Sequence, residues 1–147
     1  MLTIKKIEKK DIERICQIEK ETFTDAWTAG GIRDSLDLPY TVLLGAWLLD
    51  DLVGYVICYC AADEGEIARI AVDASCRRKG AALRLLEELR AVCSEKGIRK
   101  FILDVRKSNE SAVGLYKKFG FAEDGVRKNF YTRPSEDAVL MSFTFGK

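Results

Sequence analysis

The stretch that decides the fold is I-A-R-I-A-V-D-A-S-C-R-R-K-G-A-A-L-R-L-L-E-E-L, residues 67–89. An apolar, strand-like run (67–72) leads into a short polar turn (73–79), and Gly80 opens a strongly helical segment. Arg77, Arg78 and Lys79 stand where that helix begins. A helix start presents unpaired backbone N–H groups and the positive end of the macrodipole. Gly80, with no Cβ, lets a ligand come close to the main chain. Strand, glycine turn and helix N-terminus together suit an anion, phosphate or pyrophosphate above all. Neither G-x-x-x-x-G-K-[ST] nor G-x-G-x-x-G occurs, which excludes two common phosphate loops. A plain turn with a solvated basic cluster would use the same residues, and the rest of the chain has to decide.

Working outward, the helix continues with Ala81, Leu85, Leu86, Leu89 and Cys93 on one face and Arg84, Glu87, Glu88 and Arg90 on the other. Gly97 sits where its C-terminal cap is expected. Residues 100–106 alternate as a strand, with Phe101, Leu103 and Val105 on one side and Ile102, Asp104 and Arg106 on the other. Ser108 is the expected N-cap of a helix to Phe119 that carries Ala112, Leu115, Tyr116 and Phe119 on one face. Residues 121–133 hold a strand and the N-F-Y stretch (129–131), and 138–145 a last strand. Upstream, a strand over 2–7 precedes a helix from Asp11 whose apolar stripe is Ile12, Ile15, Cys16 and Ile18. A turn-like segment with Phe23 and Trp27 follows, where Gly30-Gly31 is expected to break structure. A short helix over 32–38 ends before Pro39, and two apolar strands, 40–49 and 52–61, form a hairpin across Asp50-Asp51. Residues 63–65 are expected to turn the chain into the strand of the opening stretch.

The order β-α-α-β-β-β-α-β-α-β-β describes an α/β protein with a mixed sheet and helices on both faces. Each of the two later β-α-β passages needs a crossover and favours local parallel pairing. With 147 residues and no linker, repeat or low-complexity segment, residues 1–147 are expected to form one domain. A net charge of +1 implies no general affinity for nucleic acid or membrane; the basic residues concentrate at 77–79, which favours a small anion. The N-terminus has no signal-like apolar region and no run reaches membrane-spanning length, so a cytoplasmic protein is expected, monomeric or weakly dimeric.

The chain contains no histidine, so acid–base chemistry falls to Asp, Glu, Tyr, Lys, Cys or water. Its five cysteines include no C-x-x-C. Cys58 and Cys60 share a strand face without further ligands, so no metal is expected; Cys16 and Cys93 read as small core residues and all five as free thiols.

The loop R-x-x-G-x-A (Arg77, Gly80, Ala82) resembles the pyrophosphate loop of the GCN5-related N-acetyltransferases, [QR]-x-x-G-x-[GA]. Three further motifs fall in that superfamily's order: I-A-V-D (70–73), L-D-V-R-K-S-N (103–109) and A-x-x-L-Y-x-x-x-G-F (112–121). Within the superfamily the chain most resembles the ribosomal-protein-alanine N-acetyltransferases, through F-x-D-x-W (Phe23, Asp25, Trp27), V-R-K-S-N and R-K-N-F-Y (127–131). The resemblance implies a mixed, mostly antiparallel sheet of six to seven strands with about four helices on both faces and a splayed parallel pair at an acetyl-CoA site. It implies that the backbone of Ile70, Ala71 and Val72 receives the pantetheine arm like an added strand. It places the pyrophosphate on the N–H groups of Arg78, Lys79, Gly80, Ala81, Ala82 and Leu83, with Arg77 beside it and Asn109 touching the cofactor from the last helix. Asp104 falls at the family's proton-accepting Glu and Tyr116 at its proton-donating Tyr. Trp27, Tyr40, Asn129 and Tyr131 become candidates for the acceptor groove.

The chemistry asks for these residue types independently. Amine attack on a thioester needs a neutral amine and a protonated leaving sulfur. An N-terminal α-amine titrates near 7.7–8.0 and a lysine near 10.4, so a lysine acceptor asks roughly 3 units more of the base. A carboxylate acting through water suffices for an N-terminus, and a tyrosine hydroxyl can protonate the thiolate. Three places keep a second reading open. Asp104 is one methylene shorter than the family's Glu and could simply pair with a neighbouring Arg. Tyr116 and Trp27 could serve the core alone. The implied activity is transfer of acetyl from acetyl-CoA to a protein N-terminal amine, the alanine of a ribosomal protein first. A small-amine acetyltransferase and a non-catalytic acetyl-CoA sensor use the same core.

Overall fold

The computed structural model describes residues 2–77 and 80–146. In chain order it holds β1 (Leu2–Lys6), α1 (Ile12–Thr22), α2 (Ala29–Asp37), β2 (Thr41–Leu48), β3 (Asp51–Ala61), β4 (Glu64–Val72), α3 (Ala81–Glu95), β5 (Lys100–Arg106), α4 (Glu110–Phe119), β6 (Ala122–Tyr131) and β7 (Glu136–Thr144). One sheet carries all seven strands in the order β1-β2-β3-β4-β5-β7-β6. Each pairing is antiparallel except that of β4 with β5.

Both faces of the sheet are covered, and the strand alternation shows how. Val42, Leu44, Ala46, Val56 and Cys58 point to a core shared with Leu85, Leu86, Leu89 and Cys93 of α3. The residues between them, Leu43, Trp47, Tyr55 and Ile57, point to a second core under Ile12, Ile15 and Ile18 of α1 and Ile32 of α2. A strand buried on both sides reads as an unbroken apolar run, which is why β2 and β3 stand out in the sequence. Helix α4 joins the α3 face through Tyr116, beside an aromatic group of Phe101, Phe119, Phe121 and Phe143.

The parallel pairing is short. It matches Glu64 to Lys100, Gly65 to Phe101 and Glu66 to Ile102, and then stops. Beyond Glu66, β4 runs on to Val72 against β3 alone, while β5 runs on to Arg106 against β7. The divergence begins at a bulge: Ile57 faces Arg69 and Cys58 faces Ile67, so Ala68 is an extra residue on β4. A bulge bends its strand and increases the local twist. Gly65 lies in the paired part, where a Cβ would meet Cys58 Sγ at 2.9 Å and Phe101 Cδ1 at 3.1 Å.

Four expectations are corrected. The turn at 63–65 is shorter than expected: β4 begins at Glu64, and Gly65 is there for close packing within the strand. Gly30-Gly31 does not break structure but forms the first turn of α2, because Thr28 Oγ1 accepts the Gly31 N–H at 3.0 Å. The N-cap of α4 is Asn109 rather than Ser108; its Oδ1 accepts the Ala112 N–H at 3.2 Å. The β5-α4-β6 passage gives no direct parallel pair, because β7 inserts between β5 and β6 and bonds to both.

The link from β4 toward α3 is fixed by Asp73. One oxygen accepts the Ser75 N–H and hydroxyl, each at 2.9 Å, and the other pairs with Arg14 of α1. The Ser75 main-chain hydrogen bond first, then Arg14, hold the Asp73 carboxyl down to about 2. Its contribution to stability is complete above the ordinary Asp value of about 3.9 and is lost as pH falls toward the folded value. Acid titration followed by circular dichroism should show a shallower loss of stability below pH 4 in Asp73→Asn than in wild type. At Gly54, a Cβ would lie 2.9 Å from the Ala71 carbonyl oxygen, a backbone atom with no freedom to move aside. Gly54→Ala should therefore cost about 1–3 kcal/mol in urea melts, as overpacking does.

Candidate active site

The site forms where β4 and β5 part. In the ladder with β3, the Asp73 N–H donates to the Val53 carbonyl at 2.7 Å. Antiparallel ladders alternate, so Ala71 also bonds toward β3, whereas the main-chain groups of Ile70 and Val72 face the gap left by β5. Of the three residues expected to receive a ligand arm, two thus present outward backbone. The Val72 carbonyl accepts from Arg77 Nε at 3.2 Å, which folds that side chain back onto the strand end. Gly80 takes the left-handed conformation, φ 81°, and caps α3 with nothing within 4 Å of a built Cβ. Ala81, Ala82 and Leu83 follow as the first turn, the part of a helix whose N–H groups lie outside the intrahelical ladder. Arg78 and Lys79, also expected there, lie outside the described residues.

On β5, Phe101, Leu103 and Val105 belong to the α3 core, so Asp104 takes the opposite face of the sheet, that of α1 and α2. It pairs in register with Leu140 of β7. Arg106 does not neutralise it. That guanidinium bonds Glu136 Oε1 at 3.2 Å and the carbonyls of Pro134 and Thr132 at 3.0 Å each. Glu136 also accepts the Ser108 N–H at 2.6 Å. The pairing ties the turn between β6 and β7 to β5, and sets Tyr131 under Arg106 at 4.5 Å from ring centre to guanidinium. Tyr131 is half-buried, and its hydroxyl is pushed up to about 12 by loss of solvent first and then by the charge of Asp104; Asp25 acts in the same sense, Arg106 and Arg69 oppose it. That list of charges describes the mouth of the gap: β5, the β6–β7 turn, the segment after α1, and β4 meet there.

Tyr116 reaches the same place from below. Its ring is in the α3 core, 5.4 Å from that of Phe121, and burial with the neighbouring Tyr131 raises its hydroxyl well above the ordinary tyrosine value. Its two readings are therefore compatible: ring in the core, hydroxyl within electrostatic reach of the mouth. Trp27 stacks on Tyr59 with ring centres 6.5 Å apart, and Tyr59 in turn neighbours Tyr40 at 6.2 Å. Asn129 lies on β6, two residues before Tyr131. It sits in the irregular stretch of β6 at φ 53°, its N–H donating to Asp137 and its Oδ1 accepting from Ser135.

The structure also gathers residues the motifs did not mark. Glu19 of α1 is fully buried and accepts from the Tyr55 hydroxyl and, at 2.9 Å, from the Trp27 N–H. Arg69 of β4 pairs with it at 3.3 Å. The signal was a carboxylate in stripe register behind Ile12 and Ile15, and an arginine interrupting an apolar strand. Elsewhere, Cys93 brings its sulfur to Cys58 and Cys60, all three within 4.8 Å, on the α3 face opposite Asp104. This third thiol was not foreseen; the set is one short of the four donors a structural zinc takes.

Residues 12–121 match the acetyltransferase (GNAT) family. A ribosomal protein bS18-alanine N-acetyltransferase of Haemophilus influenzae is 35% identical over 147 residues, covering 97% of this chain and 98% of its own. The crystal structure of the ribosomal-protein-S18-alanine N-acetyltransferase from Escherichia coli superposes with a TM-score of 0.91 at 28% identity, over 100% of this chain and 96% of that one. Ard1 from Thermoplasma volcanium gives a TM-score of 0.90 at 27% identity, over 99% of each. A splayed parallel pair, a glycine-capped helix start and a carboxylate–tyrosine mouth thus stand in a chain that belongs to the acetyltransferase (GNAT) family and is an N-acetyltransferase.

Proposed function

We propose that this protein transfers acetyl from acetyl-CoA to a protein N-terminal α-amine, the N-terminal alanine of a ribosomal protein being the acceptor that its relatives' names suggest. The observation that carries the reading is the edge of β4 that β5 leaves open beyond Glu66, with Asp104 on the diverging strand and Tyr131 held beside it by Arg106. The residues fit the cosubstrate. Outward backbone at Ile70 and Val72 suits the amide-bearing arm as an added strand. The N–H groups of Gly80, Ala81, Ala82 and Leu83, with Arg77 at the loop's start, suit a diphosphate. Capping uses only the Oδ1 of Asn109, which leaves its amide for the cofactor. Acetyl-CoA supplies the activated thioester.

This chain's residues then do three things. Asp104 takes the proton of the acceptor ammonium, directly or through one water; a carboxylate is adequate because the α-amine is only weakly basic. The Tyr116 hydroxyl, kept protonated by burial, gives its proton to the departing sulfur. Trp27 and Tyr131 flank the acceptor from the two sides of the gap and hold it in line. The new C–N bond replaces the C–S bond; of the two protons the ammonium nitrogen loses, the first passes through Asp104 to solvent and the second, lost after attack, restores the Tyr116 hydroxyl that protonated the sulfur. A reaction between acetyl-CoA and a ribosomal acceptor belongs in the cytoplasm, and no described helix is long and apolar enough to cross a membrane.

The decisive measurement is thiol release from acetyl-CoA with peptides bearing a free N-terminal alanine, the same peptides N-terminally blocked, and polyamines. Turnover confined to free N-termini is expected; turnover on polyamines alone overturns the acceptor. Asp104→Asn should lower kcat by about 10²-fold or more while calorimetry finds acetyl-CoA binding unchanged. Wild-type turnover in that variant removes Asp104 from the mechanism. Tyr116→Phe should slow the chemical step and leave the fold intact; normal kcat with a lowered melting temperature assigns Tyr116 to packing alone.

A further inference from the structure

Arg69 stands immediately before Ile70 in β4, and its surroundings are unusual for a strand cation. Its side chain is only 12% exposed. One guanidinium nitrogen faces Glu19 Oε1 at 3.3 Å, Asp25 Oδ1 at 3.2 Å and the Asp25 carbonyl at 2.8 Å. The guanidinium lies 3.9 Å from the centre of the Phe23 ring and 5.4 Å from that of Trp27. Glu19, fully buried, accepts in addition from the Tyr55 hydroxyl of β3 and the Trp27 N–H. Three separate elements, α1, β3 and β4, therefore close on one short segment, residues 23–27. That segment contains no helix or strand of its own to fix it.

We propose that the buried Glu19–Arg69 pair is a positioning clamp that sets Trp27 and Asp25 as one wall of the acceptor groove, and so governs acceptor affinity without taking part in acetyl-CoA binding. This rests on the acceptor reading above. The geometry argues for a role beyond fold stability. A buried ion pair is often replaceable by apolar residues without loss of stability, so stability alone gives little reason to build one. Every ligand of this pair other than Tyr55 is in segment 23–27, and the charges of Asp25 and Arg69 both act on the Tyr131 hydroxyl. Planar guanidinium also does here what an ammonium does not, stacking on two rings while bonding two oxygens.

Removing Arg69 alone would strand a buried carboxylate, so the test pairs the changes. E19Q/R69M removes both charges and leaves the Tyr55 hydroxyl a partner. With the N-terminal-alanine peptide as acceptor, its KM should rise about tenfold or more, with a smaller change in kcat, since misplaced positioning groups cost factors up to about 10². The Kd for acetyl-CoA from calorimetry should stay within about twofold of wild type. In a W47F background, where Trp27 is the remaining tryptophan, its emission should shift to the red. Wild-type KM together with unchanged Trp27 emission in a folded E19Q/R69M overturns the clamp, as does loss of acetyl-CoA binding in step with acceptor KM. The acceptor reading fails separately, on the wild-type enzyme: if only a small amine turns over, the same KM and emission readouts judge the clamp on that amine.

Discussion

Everything in this enzyme depends on a pairing that ends early. Two neighbouring parallel strands would ordinarily satisfy one another's main chain along their full length, because an unpaired buried amide carries a large desolvation cost. Here β4 and β5 share three register pairs and then separate. The separation is held open from both sides: by the extra residue Ala68 on β4, and by the full antiparallel ladder that draws β5 to β7. The result is an edge at Ile70 and Val72 that β5 leaves open, with the Val72 carbonyl met by the Arg77 side chain, beside the start of α3. A ligand that carries amides and a diphosphate would suit both through hydrogen bonding alone.

The two cores give the opening its rigidity. On one face α3 and α4 support β5 and the tyrosine beneath it; on the other α1 and α2 support the segment around Trp27. The two candidate groups lie on opposite faces of the sheet, Asp104 mid-strand and Tyr116 within the last turn of a helix. Side chains placed on regular elements drift less than those on loops, which suits groups that must be held in line.

How much of this could be read in advance follows from the range of each interaction. Periodicity located β5 and α3 because burial on a helix or strand face is a local, repeating constraint. The motifs marked Asp104 and Tyr116 as candidates and placed the glycine-capped helix start that is found at Gly80, because a capping glycine sits at a fixed offset from its turn. The insertion of β7 between β5 and β6 left no mark, since pairing partners are chosen by long-range packing rather than local pattern. Gly30 and Gly31 looked like breakers because a helix start was not anticipated at Thr28. Glu19, Arg69 and the approach of Cys93 to Cys58 and Cys60 join residues 33 or more positions apart through side chains alone, which no spacing rule captures. The shape of β6 likewise depends on a turn held by Arg106 and Glu136 from a distant strand.

That last strand has a consequence for how the molecule meets others of its kind. β6 is the outer margin of the sheet, and its residues are almost all exposed. Its ladder with β7 is interrupted twice, between Glu123 and Gly125 and again between Arg127 and Tyr131, and it carries Glu123, Asp124, Arg127 and Lys128. A kinked, charged margin is a poor template for a foreign strand to zip onto. The second interruption is also what swings Tyr131 back toward Arg106. One irregularity thus serves two ends: straightening β6 to make a smoother ribbon would pull Tyr131 off Arg106 and, in the same stroke, leave an unguarded seam for self-association.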